Sequence, residues 1–363
     1  MEKIKKLINN KFYIYLFILY IVIIVIFFII NKLFHFTFNK LFHKRIKSED
    51  IPDVEWPFIN LKDGNGKNIN MLCVRGYIVY NGEIAEKLLE YINKGIKFIG
   101  CSSHLSFPRY SDNPHDGCSK KDNIKIFGKD IEEYVLGWCH CFREPDKYIK
   151  HNIPRILISE SDFNSEKLEV KNVDKKYDYI CVQPKDNDEC TIRWNGYNKN
   201  WPLAEKSIKI LSDDLNLKGL VIGRGDCPVN IKQKHNVEIT DLLTHDKFID
   251  KIRESKFMLL PNLEEASPRV LTESLCVNTP IFVYENILGG WKYVNDKTGV
   301  FFNENNIKTQ AEKILKNINE NKYTPREYYM NNYGLKNSGK QLRDFLKKIY
   351  PELSPCKYVR LDN

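Results

Sequence analysis

The 363-residue sequence predicts an α/β protein with two domains, each built on a parallel sheet covered by helices, a cleft between them, and one membrane-spanning helix in front. Three observations carry this. Apolar runs of strand length alternate with amphipathic stretches of helical period. A charged stretch poor in apolar residues, 164–176, divides that alternation in two. Near the start, the run from Phe12 to Asn31 holds no charged residue and is bounded by Lys11 and Lys32.

That run has the ~20 apolar residues needed to cross a bilayer core. A cleaved leader would have a shorter apolar region followed by small residues, whereas Phe34, His35 and Phe36 follow here. Residues 1–11 are then a tail, 12–31 a single-pass anchor and 32–57 a charged, proline-punctuated stem. The flank after the anchor carries slightly more Lys and Arg than the flank before it, and none of the 36 Asn residues opens an Asn-x-Ser/Thr sequon. Both tilt the part that follows the anchor toward the cytosol.

The first domain, 58–163, opens with a buried strand at "NMLCV", a glycine-marked loop at "RGYIVYNGE", an amphipathic helix stopped by Gly95 and a strand at "IKFIGCSS". A long polar loop over 103–123 follows, then strands at "YVLGWCHCF" and "PRILISESDF". After the linker at 164–176, the second domain, 177–305, repeats the alternation. Strands are expected at "YDYICVQ", "KGLVIG", "KFMLLP" and "PIFVY", and helices at "WPLAEKSIKILSDDL", "HDKFIDKIRES" and "SPRVLTESLCVN". Residues 306–363 read as a helical tail.

Composition narrows the function. The net charge of +9 suits an anionic ligand or a membrane surface, but the basic residues are interspersed with 47 acids, which excludes a nucleic-acid-binding arm. The ten cysteines form no C-x-x-C, and Cys139-His140-Cys141 cannot alone fill a tetrahedral metal site. Several lie inside apolar runs, so a mostly reduced protein is expected.

"KFMLLPNLEEASPRVLTESL" is the stretch that carries chemistry. The strand "KFMLLP" ends at the sheet's carboxyl edge, where α/β proteins bind ligands. Ser267 is a suitable N-cap and Pro268 a suitable first helical residue, so the helix start would offer amides and a positive dipole end to a phosphate, with Arg269 beside it. Glu265, before the helix, would face whatever lies beyond the phosphate. Glu273, about two turns in, would reach a ribose, whose paired hydroxyls suit a bidentate carboxylate.

The Glu265-x7-Glu273 spacing, followed by Thr279-Pro280, the turn Gly289-Gly290 and the Thr298-Gly299 step, resembles the donor-binding half of the retaining glycosyltransferases of family 4, which have the two-domain GT-B fold. The resemblance is specific over about 177–303. It implies that a sugar moves from a UDP- or GDP-linked donor to an acceptor hydroxyl, on a glycan, lipid or protein, with retained configuration. It also implies roles: Glu265 on the donor sugar, Glu273 on the ribose, and a basic pair, Arg193 and Lys199, on the leaving diphosphate. Such a clamp replaces a metal ion, so no essential metal or other cofactor is expected. "VRGYIVYNGEIAEKLLEYINKGIKFIG" resembles the family's opening glycine loop, which would bring Gly76 and Gly82 near the donor phosphates. The family's histidine in the first domain has two candidates, His104 and His140. That domain is shorter than is typical of the fold. An inverting GT-B transferase of the exostosin or fucosyltransferase type, and a catalytically idle GT-B-like binding protein, are the alternatives.

Overall fold

The computed structural model describes residues 46–78, 82–116, 125–163 and 168–361. Both sheets lie in one compact unit that begins at Lys47. The predicted span at 12–31 lies outside the described residues. Among those described, no helix is long and apolar enough to cross a membrane.

The first sheet has six strands: β1 (Phe58–Asp63), β2 (Asn68–Val74), β3 (Lys97–Cys101), β4 (Trp138–Cys139), β5 (Arg155–Ile156) and β12 (Val359–Arg360), in the order β12-β1-β2-β3-β4-β5. Strands β2 to β5 are parallel, as expected. β1 and β12 are antiparallel additions that the sequence reading did not foresee. β2 is buried along nearly its whole length, with Ile69, Met71 and Cys73 packed in one core, and α1 (Glu83–Asn93) follows it with Ala85 and Leu88 buried. The two strands expected at "YVLGWCHCF" and "PRILISESDF" shrink to two residues each, and the second runs into a buried helical turn at Glu160–Phe163.

The second sheet comprises β6 (Tyr177–Val182), β7 (Gly219–Ile222), β8 (Val237–Thr240), β9 (Ser255–Leu260), β10 (Ile281–Tyr284) and β11 (Gly299–Phe302), in the order β11-β10-β9-β6-β7-β8, and every pairing is parallel. Its helices are α2 (Trp194–Asn198), α3 (Trp201–Lys209), α4 (His245–Arg253), α5 (Arg269–Cys276) and α6 (Ile307–Asn319). They cover both faces, which is why the central strands are continuously apolar. Tyr179, Phe257, Phe282 and Phe302 fill one side, and Ile180, Met258, Leu271 and Val283 the other.

Two segments differ from their expected roles. The tail expected to be only helical does form α7 (Pro325–Asn332) and α8 (Gly334–Ile349), but it then returns to the first sheet. Leu342, Leu346, Tyr350, Leu353 and Leu361 join Ile59, Leu61, Met71 and Cys73 in one core, and β12 pairs with β1. The last part of the expected stem is likewise folded: Ile51 is buried, and the Ser48 and Ser354 hydroxyls are 2.7 Å apart.

The two sheets are joined through a buried polar network. The Asp162 carboxylate accepts from Lys292 Nζ and from the Tyr293 hydroxyl, each at 2.5 Å, and from the Ser159 amide at 2.9 Å. Trp291 Nε1 donates to the Cys141 carbonyl across the same seam. These bonds tie the segment that follows β10 to the carboxyl edge of the first sheet.

Candidate active site

β9 lies inside the second sheet between β10 and β6, so Pro261 and the loop after it emerge at the centre of the carboxyl edge. That loop is pinned on two sides. The amides of Leu263 and Glu264 donate to the Asn198 carbonyl, and the amides of Leu288 and Gly289 donate to the carbonyls of Leu263 and Glu265. Gly289 is required there because a Cβ would come within 1.9 Å of the Ala266 carbonyl oxygen.

Of the acids and bases singled out by sequence, the fold brings Glu265 and Lys199 together. Lys199 Nζ donates to Glu265 Oε2, which also accepts from Asn262 Nδ2 at 3.0 Å. Both side chains keep about a fifth of their surface exposed, so the pair is accessible. Glu273 is more deeply set and bonds His245 Nε2 at 2.9 Å. Arg193 is exposed at the N-cap of α2, and its side chain forms no ion pair with Glu265 or Glu273. The amide end of α2 is occupied by the Asp186 carboxylate, which accepts from the amides of Arg193, Asn195 and Gly196.

The start of α5 corrects the sequence reading. Pro268, not Ser267, is the N-cap, and no side chain caps the helix. The Ser267 hydroxyl instead accepts from the Ser161 amide at 2.9 Å and lies 2.8 Å from the Ser161 hydroxyl. It therefore ties the helix start to the first-sheet half. Arg269 is exposed. Gly76 lies beneath Trp56, whose indole fills the place of a Cβ, so close approach there is used by the protein itself. Gly82 is the N-cap of α1 in an extended conformation.

The two histidine candidates occupy different places. His104, after β3, is half-buried, and its pKa is lowered by burial with a small opposing effect from Asp116. His140, at the end of β4, is buried, and its Nδ1 has no partner among the described residues. Burial first, then the Arg155 and Lys292 cations, push its pKa down to about 4, so it is neutral at pH 7.

Several groups were missed by sequence. Glu264 is half-buried, its Oε2 has no partner among the described residues, and its carboxyl is pushed up to about 7 by burial and then by the Asp112 and Asp116 carboxylates. Asn198 and Asn262 are both almost fully buried, and each has one side-chain atom without a partner among the described residues. Arg224, next to β7, lies flat on Trp201 at 3.7 Å. Its Gly-Arg-Gly setting after an apolar strand was the available signal. His245 was legible only as the first residue of a helix.

The expectation of a mostly reduced protein needs one amendment. Cys190 and Cys227 form a disulfide between the loops after β6 and β7. Their separation of 37 residues hid this, because only the side-by-side pairing of those strands brings the loops together. Cys73, Cys101, Cys139, Cys141, Cys181 and Cys276 are free and buried, as expected.

Two α/β layers, parallel-rich and joined at their carboxyl edges, define a GT-B-like fold. Residues 196–336 match the family model Glycosyl transferases group 1, so the loop after β9 and α5 lie within the matched domain. No curated protein matches the chain in sequence. Among solved structures, the chain resembles TarM (TM-score 0.50, 14% identity, 71% of this chain and 51% of that one). It also resembles the pneumococcal O-GlcNAc transferase GtfA in complex with UDP and GlcNAc (0.51, 14%, 74% and 55%). Anabaena Alr3699/HepE in complex with UDP is similar too (0.53, 7%, 73% and 76%). The chain thus spans about half the length of TarM and GtfA, and at these identities the likeness is one of fold.

Proposed function

We propose that this protein is a glycosyltransferase that moves a sugar from a nucleotide-sugar to an acceptor hydroxyl without an essential metal ion, and with retention of configuration. The observation that carries the reading is the Lys199–Glu265 pair at the carboxyl edge of β9, with Glu273 further along α5, inside the matched domain. In the absence of donor, Lys199 and Glu265 neutralise one another. An arriving diphosphate draws the ammonium to itself and frees the carboxylate to accept sugar hydroxyls. As the glycosidic C–O bond breaks, its electron pair leaves with the diphosphate oxygen, and the cation stabilises that charge. Glu273, aligned by His245, holds the ribose. UDP-bound neighbours of the same fold favour UDP over GDP as the carrier.

One observation favours inversion as a second reading. Glu264 is a carboxyl near 7 with one oxygen unpartnered among the described residues, which suits a general base working at neutral pH. The configuration of the sugar released from an α-linked UDP-sugar, followed by proton NMR before mutarotation, decides between them. An α-anomer supports retention. A β-anomer lost in Glu264→Gln supports inversion. Nucleotide release that resists EDTA and falls at least a hundredfold in Lys199→Ala supports the activity itself; no release from any donor supports an idle binding protein.

Residues 12–31 are proposed as the single-pass anchor. The Cys190–Cys227 bond speaks for an oxidising surrounding and against the cytosolic tilt drawn from flanking charge. Thiol alkylation of the full-length protein in sealed membranes, with and without a permeant reductant, tests the side.

A further inference from the structure

Aromatic side chains from both sheets gather around His104. Trp56, before β1, meets its ring edge-on at 5.6 Å, and Tyr77, after β2, does so at 5.7 Å. Trp194, the first residue of α2, lies nearly parallel to it at 6.2 Å. Rings this large normally dominate cores, yet Trp56 is 51% exposed and Trp194 36% exposed. Single exposed rings need no explanation. Two that flank one histidine, at the carboxyl edges of both sheets, form a site.

The cluster is held in place. The Asn113 side chain donates to the Trp194 carbonyl at 3.2 Å and to Asn198 Oδ1 at 3.0 Å. Gly76 leaves room for the Trp56 indole. The Arg75 guanidinium lies 5.2 Å from the centre of that indole and is itself held by Glu160 at 2.5 Å.

We propose that this cluster is the acceptor subsite and that it takes a neutral sugar ring; this rests on the transferase reading above. A pyranose has an apolar face of C–H bonds, which suits the electron-rich face of an indole, and a rim of hydroxyls that both donate and accept. The rim found here matches. Neutral His104 offers one donor and one acceptor, and the Arg75 guanidinium, its charge balanced by buried Glu160, adds donors at no net charge. A phosphorylated acceptor would meet Asp116 beside His104 and a cation already paired. The location fits as well. Trp194 and Lys199 are the first residue and the C-cap of one short helix, ~7.5 Å apart along its axis, so the cluster and the Lys199–Glu265 pair share one element.

The test uses the full-length protein in detergent, with UDP-sugar donors and a panel of neutral methyl glycosides as acceptors. In the wild type, at least one glycoside is expected to raise nucleotide release about tenfold over hydrolysis to water. In Trp194→Ala the ratio of transfer to hydrolysis falls about tenfold through the glycoside KM, and Trp194→Phe restores part of it. An equal fall in transfer and hydrolysis overturns the proposal, since that marks a structural role. So does acceleration by a long-chain alcohol or a Ser/Thr peptide but by no glycoside. If the wild type turns over no donor, the transferase reading fails by itself. Glycoside quenching of Trp fluorescence, lost in Trp194→Ala, then still supports the sugar subsite, and its absence in the wild type removes it.

Discussion

Replacing Gly289 by Ala should damage catalysis more than stability. A Cβ at this position would sit 1.9 Å from the Ala266 carbonyl oxygen, 2.7 Å from its carbon and 3.0 Å from the Cys141 Cβ, whereas real Cβ contacts keep at least 3.0 Å. The nearest obstacle is backbone, so no rotamer change relieves it. The loop carrying Glu265 must therefore retreat by about 1 Å, a displacement that can cost about a hundredfold when it misplaces a reacting group. The same movement strains the Gly289 amide bond to the Glu265 carbonyl and should cost about 1–3 kcal/mol of stability, as other overpacking substitutions do. Nucleotide release (kcat/KM) and urea unfolding measure the two effects. Gly66→Ala is the control: its φ of +83° strains an alanine, but nothing lies within 4 Å, so stability falls by about 1 kcal/mol while turnover stays as it was. If Gly289→Ala keeps kcat/KM within threefold of wild type, the claim that this turn sets the position of Glu265 is wrong.

Other outcomes follow from the same geometry. Lys292→Ala strands the buried Asp162 carboxylate and should destabilise by about 3–5 kcal/mol in urea unfolding, and Lys292→Met with Asp162→Asn should recover part of it. Because the Glu264 carboxyl is raised from its ordinary value to about 7, stability should fall as pH rises from about 4.5 through 7. Glu264→Gln should therefore unfold at higher urea than wild type at pH 8 and match it below pH 4. Reducing the Cys190–Cys227 bond, which closes a loop of 37 residues, should cost about 3–4 kcal/mol by loop entropy, and a Cys190→Ser variant should show the same loss without reductant. His245→Ala should raise the donor KM by a smaller factor than Glu273→Ala, since it only orients that carboxylate.

The second half of the chain was legible because its signals are local. Strands buried on both faces read as unbroken apolar runs, and the eight-residue spacing from Glu265 to Glu273 survives as one acid before a helix and one within it. Lys199 is named through the resemblance to a family with a basic pair there, and the structure sets it against Glu265. The first half was harder. β1 mixes apolar and charged residues, "FINLKD", because as an antiparallel strand beside β2 it buries only part of itself. β12 is two residues long and carries no pattern of its own. Ser267 has the chemistry of an N-cap. Its hydroxyl is claimed by Ser161, which is 106 residues away in sequence and adjacent only because the sheets meet there.

From the sequence alone came the alternation of strands and helices, the emergence of the Glu265 loop at the carboxyl edge after β9, and the two glutamates in order. Those follow from periodicity, turn chemistry and spacing, which act over a few residues. Tertiary structure alone decided that Lys199 faces Glu265, that His245 backs Glu273, that Cys190 meets Cys227, and that the last residues close the first sheet. It also raised Glu264 to near neutrality and set Trp56 and Trp194 on either side of His104. Each of those depends on burial or on contact between distant segments, and both exist only once the sheets have packed.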